Sequence, residues 1–223
     1  MNPIYWDYNA TTPLDHQVRQ AMEPYLENVW GNPSSVHAVG RRARAALDEF
    51  RYRLAGAWKC RPSEVIFTSG GTESNNLAVL GTARLRGAQG YRHLVVSPVE
   101  HHAVLHALKQ LEAHEGFTLT LVPVNHHGRV SPEAVAQALR PDTALVSIMA
   151  ANNETGVIQP WQQVLELCRE AGVPFACDAS QWVGKLPASG LGSCDFVSAC
   201  AHKFGGPVGV GFLKVPESFQ PLL

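Results

Sequence analysis

The 223-residue sequence has no excess of charge of either sign. Its 18 Lys and Arg stand against 19 Asp and Glu, for a formal net charge of −1. That balance leaves no broad basic face for nucleic acid, and no acidic tail is present to engage a basic partner. No apolar run approaches a membrane span, and the first residues lack a charged stretch followed by an apolar one. No membrane association and a cytoplasmic location are therefore expected. Five cysteines (Cys60, Cys168, Cys177, Cys194 and Cys200) include no C-x-x-C pair, and the ten histidines lack zinc-ligand spacing. Free thiols in a reducing compartment and no metal centre are expected. Internal repeats, low-complexity tracts and a clear interdomain linker are also missing.

What is present is an alternation of short apolar runs with helical patterns. Asp15 is placed to cap a helix carrying Val18, Met22, Tyr25 and Leu26. A longer amphipathic helix is predicted over Val39–Trp58, with Ala43, Ala46, Leu47, Phe50 and Leu54 on one face. Strands are predicted at 65–68, 94–97, 118–122, 144–149, 174–178, 195–199 and 208–213, with helices between them. Alternating strands and helices imply an α/β domain, a mostly parallel sheet covered on both faces in three layers. Ligands of such sheets sit beyond the carboxyl ends of the strands.

Polar clusters fall at those ends. Each has an ordinary reading and a functional one. Ser69-Gly70-Gly71-Thr72 is a glycine turn, or backbone N–H groups and a hydroxyl holding a phosphate at a helix N-terminus. Glu100-His101-His102 is a solvated helix start, or an acid/base group. Asp178 caps the next segment, or serves as a strand-end carboxylate. Lys203, on a loop after the strand at 195–199, is a surface charge or an amine nucleophile. No Walker-type lysine follows the Gly70-Gly71-Thr72 turn, which argues against a nucleotide site. Taken together, a phosphate cradle, a ring to stack, a carboxylate and an amine are what pyridoxal phosphate requires.

In this combination the sequence resembles the cysteine desulfurases of the class V aminotransferase group. The resemblance rests on Asp7-Tyr8-Asn9-Ala10-Thr11-Thr12-Pro13, Gly31-Asn32-Pro33-Ser34-Ser35, residues 67–78, Glu100-His101-His102-Ala103-Val104, Asn152-Asn153-Glu154-Thr155-Gly156, Asp178-Ala179-Ser180-Gln181 and His202-Lys203-Phe204-Gly205-Gly206-Pro207, in family order. It implies the large domain of fold-type I enzymes dependent on pyridoxal 5'-phosphate. It also implies that Lys203 carries the cofactor and later moves a proton, that Asp178 pairs with the pyridinium nitrogen, and that His101 stacks on the ring as an acid/base candidate. Gly71, Thr72 and His202 would hold the phosphate, Gln181 the phenolic oxygen, and Asn153 the substrate carboxylate. The implied substrate is L-cysteine, the implied products alanine and an enzyme persulfide, and the implied partners a second copy of the chain and sulfur-accepting scaffold proteins for iron–sulfur clusters. A selenocysteine lyase or another class V amino-acid lyase, and a non-catalytic remnant of the fold, remain as alternatives.

Two departures from that pattern stand out. The family lysine motif reads Ser-x-His-Lys, and Cys200 occupies the serine position, where a thiol is a weaker donor to phosphate. Residues 1–223 correspond to the cofactor-binding domain with its N-terminal segment. By the same resemblance, the family's smaller C-terminal domain, which bears the persulfide cysteine, is expected to have no counterpart within these residues.

Overall fold

The computed structural model describes residues 4–222. Helix α1 (His16–Glu27) begins where Asp15 accepts from the backbone N–H groups of Gln17 and Val18, at 2.8 and 3.3 Å. Helix α2 (Ala38–Trp58) is capped by His37 and ends at Lys59, in the left-handed region at φ 56°. Strand β1 (Val65–Thr68) then leads into one helical run made of α3 (Gly71–Asn76), a π-turn over Leu77–Gly81, and α4 (Thr82–Ala88). The remaining α-helices and strands are β2 (His93–Val96), α5 (His102–His114), β3 (Thr118–Leu121), α6 (Pro132–Ala138), β4 (Thr143–Ser147), α7 (Trp161–Ala171), β5 (Phe175–Asp178), β6 (Phe196–Cys200) and β7 (Gly211–Lys214), and a short 3-10 turn over Ala201–Lys203 follows β6. No helix among the described residues is long and apolar enough to cross a membrane.

Among the described residues, seven strands form one sheet in the order β1-β7-β6-β5-β4-β2-β3. The β2–β3, β2–β4, β4–β5 and β5–β6 pairs are parallel, and β7 alone runs against its neighbours β6 and β1. Alternate residues feed two cores. Val95, Val146, Phe175, Cys177, Val197 and Phe212 face one side, packed with Trp58, Trp161 and Val164. Leu94, Val96, Leu145, Ala176, Phe196 and Leu213 face the other, packed with Ala78, Val79, Val104, Leu108 and Leu111. A sheet covered on both faces makes the three-layer architecture, and buried strands read as continuous apolar runs for this reason.

The strand expected over 208–213 is corrected. Val208 is 81% exposed, Gly209 sits at φ 83°, and the strand starts only at Gly211. An apolar run broken by a left-handed residue cannot hold a strand's extended backbone, so Val208–Val210 form a loop. Gly211 itself is required by a close approach, since a Cβ there would lie 2.6 Å from the Gly70 backbone. The apolar face of α1 is also not a core face, because none of its residues is buried.

Candidate active site

The parallel strands β1, β2, β4, β5 and β6 deliver their carboxyl ends to one edge of the sheet. A cavity of about 240 Å³ opens there, lined by Gly71, Thr72, Asn75, His101, Met149, Ala151, Asn153, Asp178, Ser180, Gln181, Cys200, His202 and Lys203. All nine residues that the resemblance places at the site fall within this lining, whereas Ser69, Gly70, Glu100 and His102 do not. Asn75, Met149, Ala151 and Ser180 line it too, although the sequence offered no role for them.

The floor is a buried polar chain. Asp178 ends β5 directly beside Ser198 of β6. Its Oδ2 accepts from Asn75 Nδ2 at 2.7 Å, and its Oδ1 accepts from the Ser180 backbone N–H at 2.9 Å. Ser198 Oγ donates in turn to Asn75 Oδ1. A carboxylate so buried requires such donors to replace water. Cys200 closes β6, and burial pushes its thiol up although the neighbouring Ser180 side chain and Gly71 backbone act to lower it.

His101 caps α5, its Nδ1 accepting from the Ala103 N–H at 3.1 Å. That bond places the proton of the neutral ring on Nε2. Glu100 beside it is not a solvated helix start. It is 5% exposed, its Oε1 accepts from the Met149 N–H at 2.6 Å, and its Oε2 has no partner among the described residues. Burial, with the Asp178 charge nearby, holds the Glu100 carboxyl well above its ordinary range. Asn152, the neighbour of Asn153, is used structurally: its Nδ2 donates to Val99 O at 2.9 Å and fastens this turn to the end of β4.

The opposite wall hangs on the N-terminal segment. Lys203 Nζ donates to Asn9 O and Ala10 O at 2.7 and 2.8 Å, and Gln181 Nε2 donates to Asn9 O at 2.8 Å. Thr12 Oγ1 donates to His202 O at 2.9 Å and accepts from the Gly205 N–H at 2.7 Å. His202 Nδ1 pairs with Thr11 Oγ1 at 3.1 Å, and burial, aided by the Lys203 charge, lowers its pKa. The stretch 7–13 was visible in the sequence as a motif, but nothing in it announced that it straps the lysine loop. No group of three or more His, Cys, Asp or Glu residues among the described residues could hold a metal ion.

The chain is similar to known proteins in both sequence and fold. The aminotransferase class-V family model matches residues 4–223. A cysteine desulfurase IscS from Dictyoglomus turgidum is 47% identical over 227 residues, which cover 99% of this chain and 56% of that relative. Among solved structures, a NifS-like protein superposes with a TM-score of 0.92 at 37% identity, covering 97% of this chain and 60% of that one. The structure of SspA in complex with cysteine superposes with a TM-score of 0.91 at 36% identity, covering 96% of this chain and 62% of that one. The chain thus spans little more than half the length of the curated relatives it matches.

Proposed function

The chain belongs to the aminotransferase class-V family, and from that premise we propose that it is the cofactor-binding part of a cysteine desulfurase, holding pyridoxal 5'-phosphate at the strand ends and taking L-cysteine as substrate. One observation carries the reading. A buried carboxylate (Asp178), an amine (Lys203) and an anion cradle open into the same cavity. The donor set fits the cofactor. A Cβ at Gly71 would come within 3.2 Å of Ser180 Oγ and 3.6 Å of Cys200 Sγ, so glycine keeps the cradle open at the start of the helical run.

In this reading Gly71, Thr72 and His202, with Cys200 beside them, hold the phosphate. Asp178 holds the positive charge of the ring nitrogen, and its fixed partners Asn75 and Ser180 keep it from turning away. Bound there, the cofactor supplies an electron sink for negative charge at the substrate α-carbon. Lys203 is the amine that carries the cofactor and afterwards moves a proton. His101 covers the ring and presents Nε2 as its proton-carrying atom. Gln181 donates to the phenolic oxygen, and Asn153 orients the substrate carboxylate.

The activity proposed is removal of the cysteine sulfur as an enzyme persulfide, leaving alanine. The thiol that accepts the sulfur is none of Cys60, Cys168, Cys177 and Cys200. Burial raises Cys168 to about 12 and Cys177 well above its ordinary value, and it raises Cys60 and Cys200 too. Reactive thiols have the opposite character: exposed, and lowered by nearby positive charge. The same reading includes a cytoplasmic homodimer that passes sulfur to an iron–sulfur scaffold protein. Exposed Trp6, Leu26, Trp30 and Val36 support an apolar contact surface near the N-terminus.

The test is a visible spectrum of the purified chain after incubation with pyridoxal phosphate and dialysis, followed by borohydride reduction and peptide mapping. A retained band and a pyridoxyl label on Lys203 are expected. A label on another lysine, or no retained cofactor, would overturn the reading.

A further inference from the structure

Two ammonium groups converge on Asn9. Lys203 Nζ holds the Asn9 and Ala10 carbonyls at 2.7 and 2.8 Å. Lys185 comes from the turn after β5, and its Nζ donates to Asn9 Oδ1 at 3.1 Å and to Gln181 Oε1 at 2.6 Å. Gln181 completes the ring of contacts through Nε2, which donates to Asn9 O at 2.8 Å. Lys185 does not line the cavity.

The two ends of a glutamine amide have nearly the same shape, so their partners decide which way the group faces. An ammonium has three donors and no acceptor, so the end of Gln181 that meets Lys185 must be the carbonyl. Nε2 is then turned the other way with two N–H groups. One goes to Asn9 O and leaves one for the cavity that Gln181 lines. A neutral side chain at 185 would leave the Gln181 carbonyl without this donor and release the Asn9 side chain.

We propose that Lys185 is a positioning residue of this site: it fixes the Gln181 amide so that an N–H faces the cavity, and it pins Asn9 so that the Asn9 and Ala10 carbonyls stay over Lys203. Two cations are brought close by this arrangement, and the carbonyl oxygens between them offset their repulsion. The cost is visible in Lys185, whose pKa is lowered by partial burial and then by the Lys203 charge. The other ionisable groups around the pair are Cys200, His202 and Asp178 in the cavity wall, and Asp7, whose Oδ1 accepts from the Ala10 N–H. Only the identity of the oxygen that meets Gln181 rests on the cofactor reading above. The grip on the segment does not.

The experiment has two arms on the full chain. In the first, hydrogen exchange is followed by mass spectrometry without cofactor. Lys185→Met is expected to speed exchange in the 4–14 peptide about tenfold while peptides of β4 and β5 keep wild-type protection, and Lys185→Arg is expected to restore the slow rate. Wild-type exchange in Lys185→Met would overturn the proposal, as would equal acceleration across the whole chain. In the second, pyridoxal phosphate dissociation constants are compared in a double-mutant cycle. Lys185→Met should weaken binding about tenfold alone but less than about twofold in a Gln181→Ala background. Equal losses in both backgrounds would overturn the role assigned through Gln181. If no variant, wild type included, binds the cofactor, it is the functional reading that falls, and the exchange arm still decides whether Lys185 holds the segment.

Discussion

The two walls of the cavity are built differently. The floor, Asp178–Asn75–Ser198, joins β5, α3 and β6, and its three residues are only 6%, 4% and 2% exposed. The roof, Lys203, Gln181 and His202, depends on carbonyls and hydroxyls of residues 9–12, which belong to a stretch (4–14) without helix or strand whose aromatics Trp6 and Tyr8 are exposed. The floor can open only with the sheet, whereas the roof can open locally, and regions with few buried contacts sit at the low end of local stability. A site that must hold a charge still while admitting and releasing a ligand benefits from that division.

The comparison is broken most severely from the floor. Asn75→Leu keeps the branched outline of the side chain, with bulkier ends, but strips Asp178 Oδ2 and Ser198 Oγ of their shared partner in a buried setting. A loss of about 3 kcal/mol in urea unfolding is expected, together with slower cofactor binding. A variant within about 0.5 kcal/mol of wild type would show that water or a rearranged serine satisfies the floor.

A smaller effect separates the walls by pH. Burial, with the Asp178 charge adding to it, raises the folded pKa of Glu100 well above the unfolded 4.5. A group raised in this way contributes stability that is fully present below the unfolded value and is lost as pH rises toward the folded one. The slope is at most about 1.4 kcal/mol per pH unit for one proton. Glu100→Gln keeps an acceptor for the Met149 N–H and removes the titration. Its stability should therefore fall less than that of wild type as pH rises from 5 upward, and identical slopes would mean that Glu100 ionises freely in the folded chain.

The floor and the roof also differ in how far they could be read from the sequence. Asp178, Gly71 and Lys203 end or follow apolar runs, and the run itself says where the strand stops, so their meeting at one edge follows from a parallel sheet. Asn75 was unreadable because its partner lies 103 residues away and a helix of mixed polarity gives no hint of which face looks inward. Thr12 and His202 are separated by 190 residues, and Lys185 looks like any surface lysine after a glycine. Glu100 misled in the other direction: a charged residue before two histidines reads as solvent-facing, and only the end of β4 packed over it makes it buried. Val208–Val210 looked like strand because valine favours strands, and the left-handed Gly209 between them was the overlooked signal.

The finest test of the division is Thr12→Val, which removes one hydroxyl from the roof and leaves the floor untouched. Valine fills nearly the same space but neither donates to His202 O nor accepts from the Gly205 N–H. Both lost bonds are only partly buried, so water can replace them, and the global cost should be about 1 kcal/mol. The local cost should be larger in proportion, because the lysine loop loses two of the bonds that tie residues 202–205 to the N-terminal segment. Exchange in the 4–14 and 201–207 peptides should accelerate together while β4 and β5 stay protected. If those peptides keep wild-type rates while global stability falls, the segment is held by its other contacts, and the roof is as firmly built as the floor.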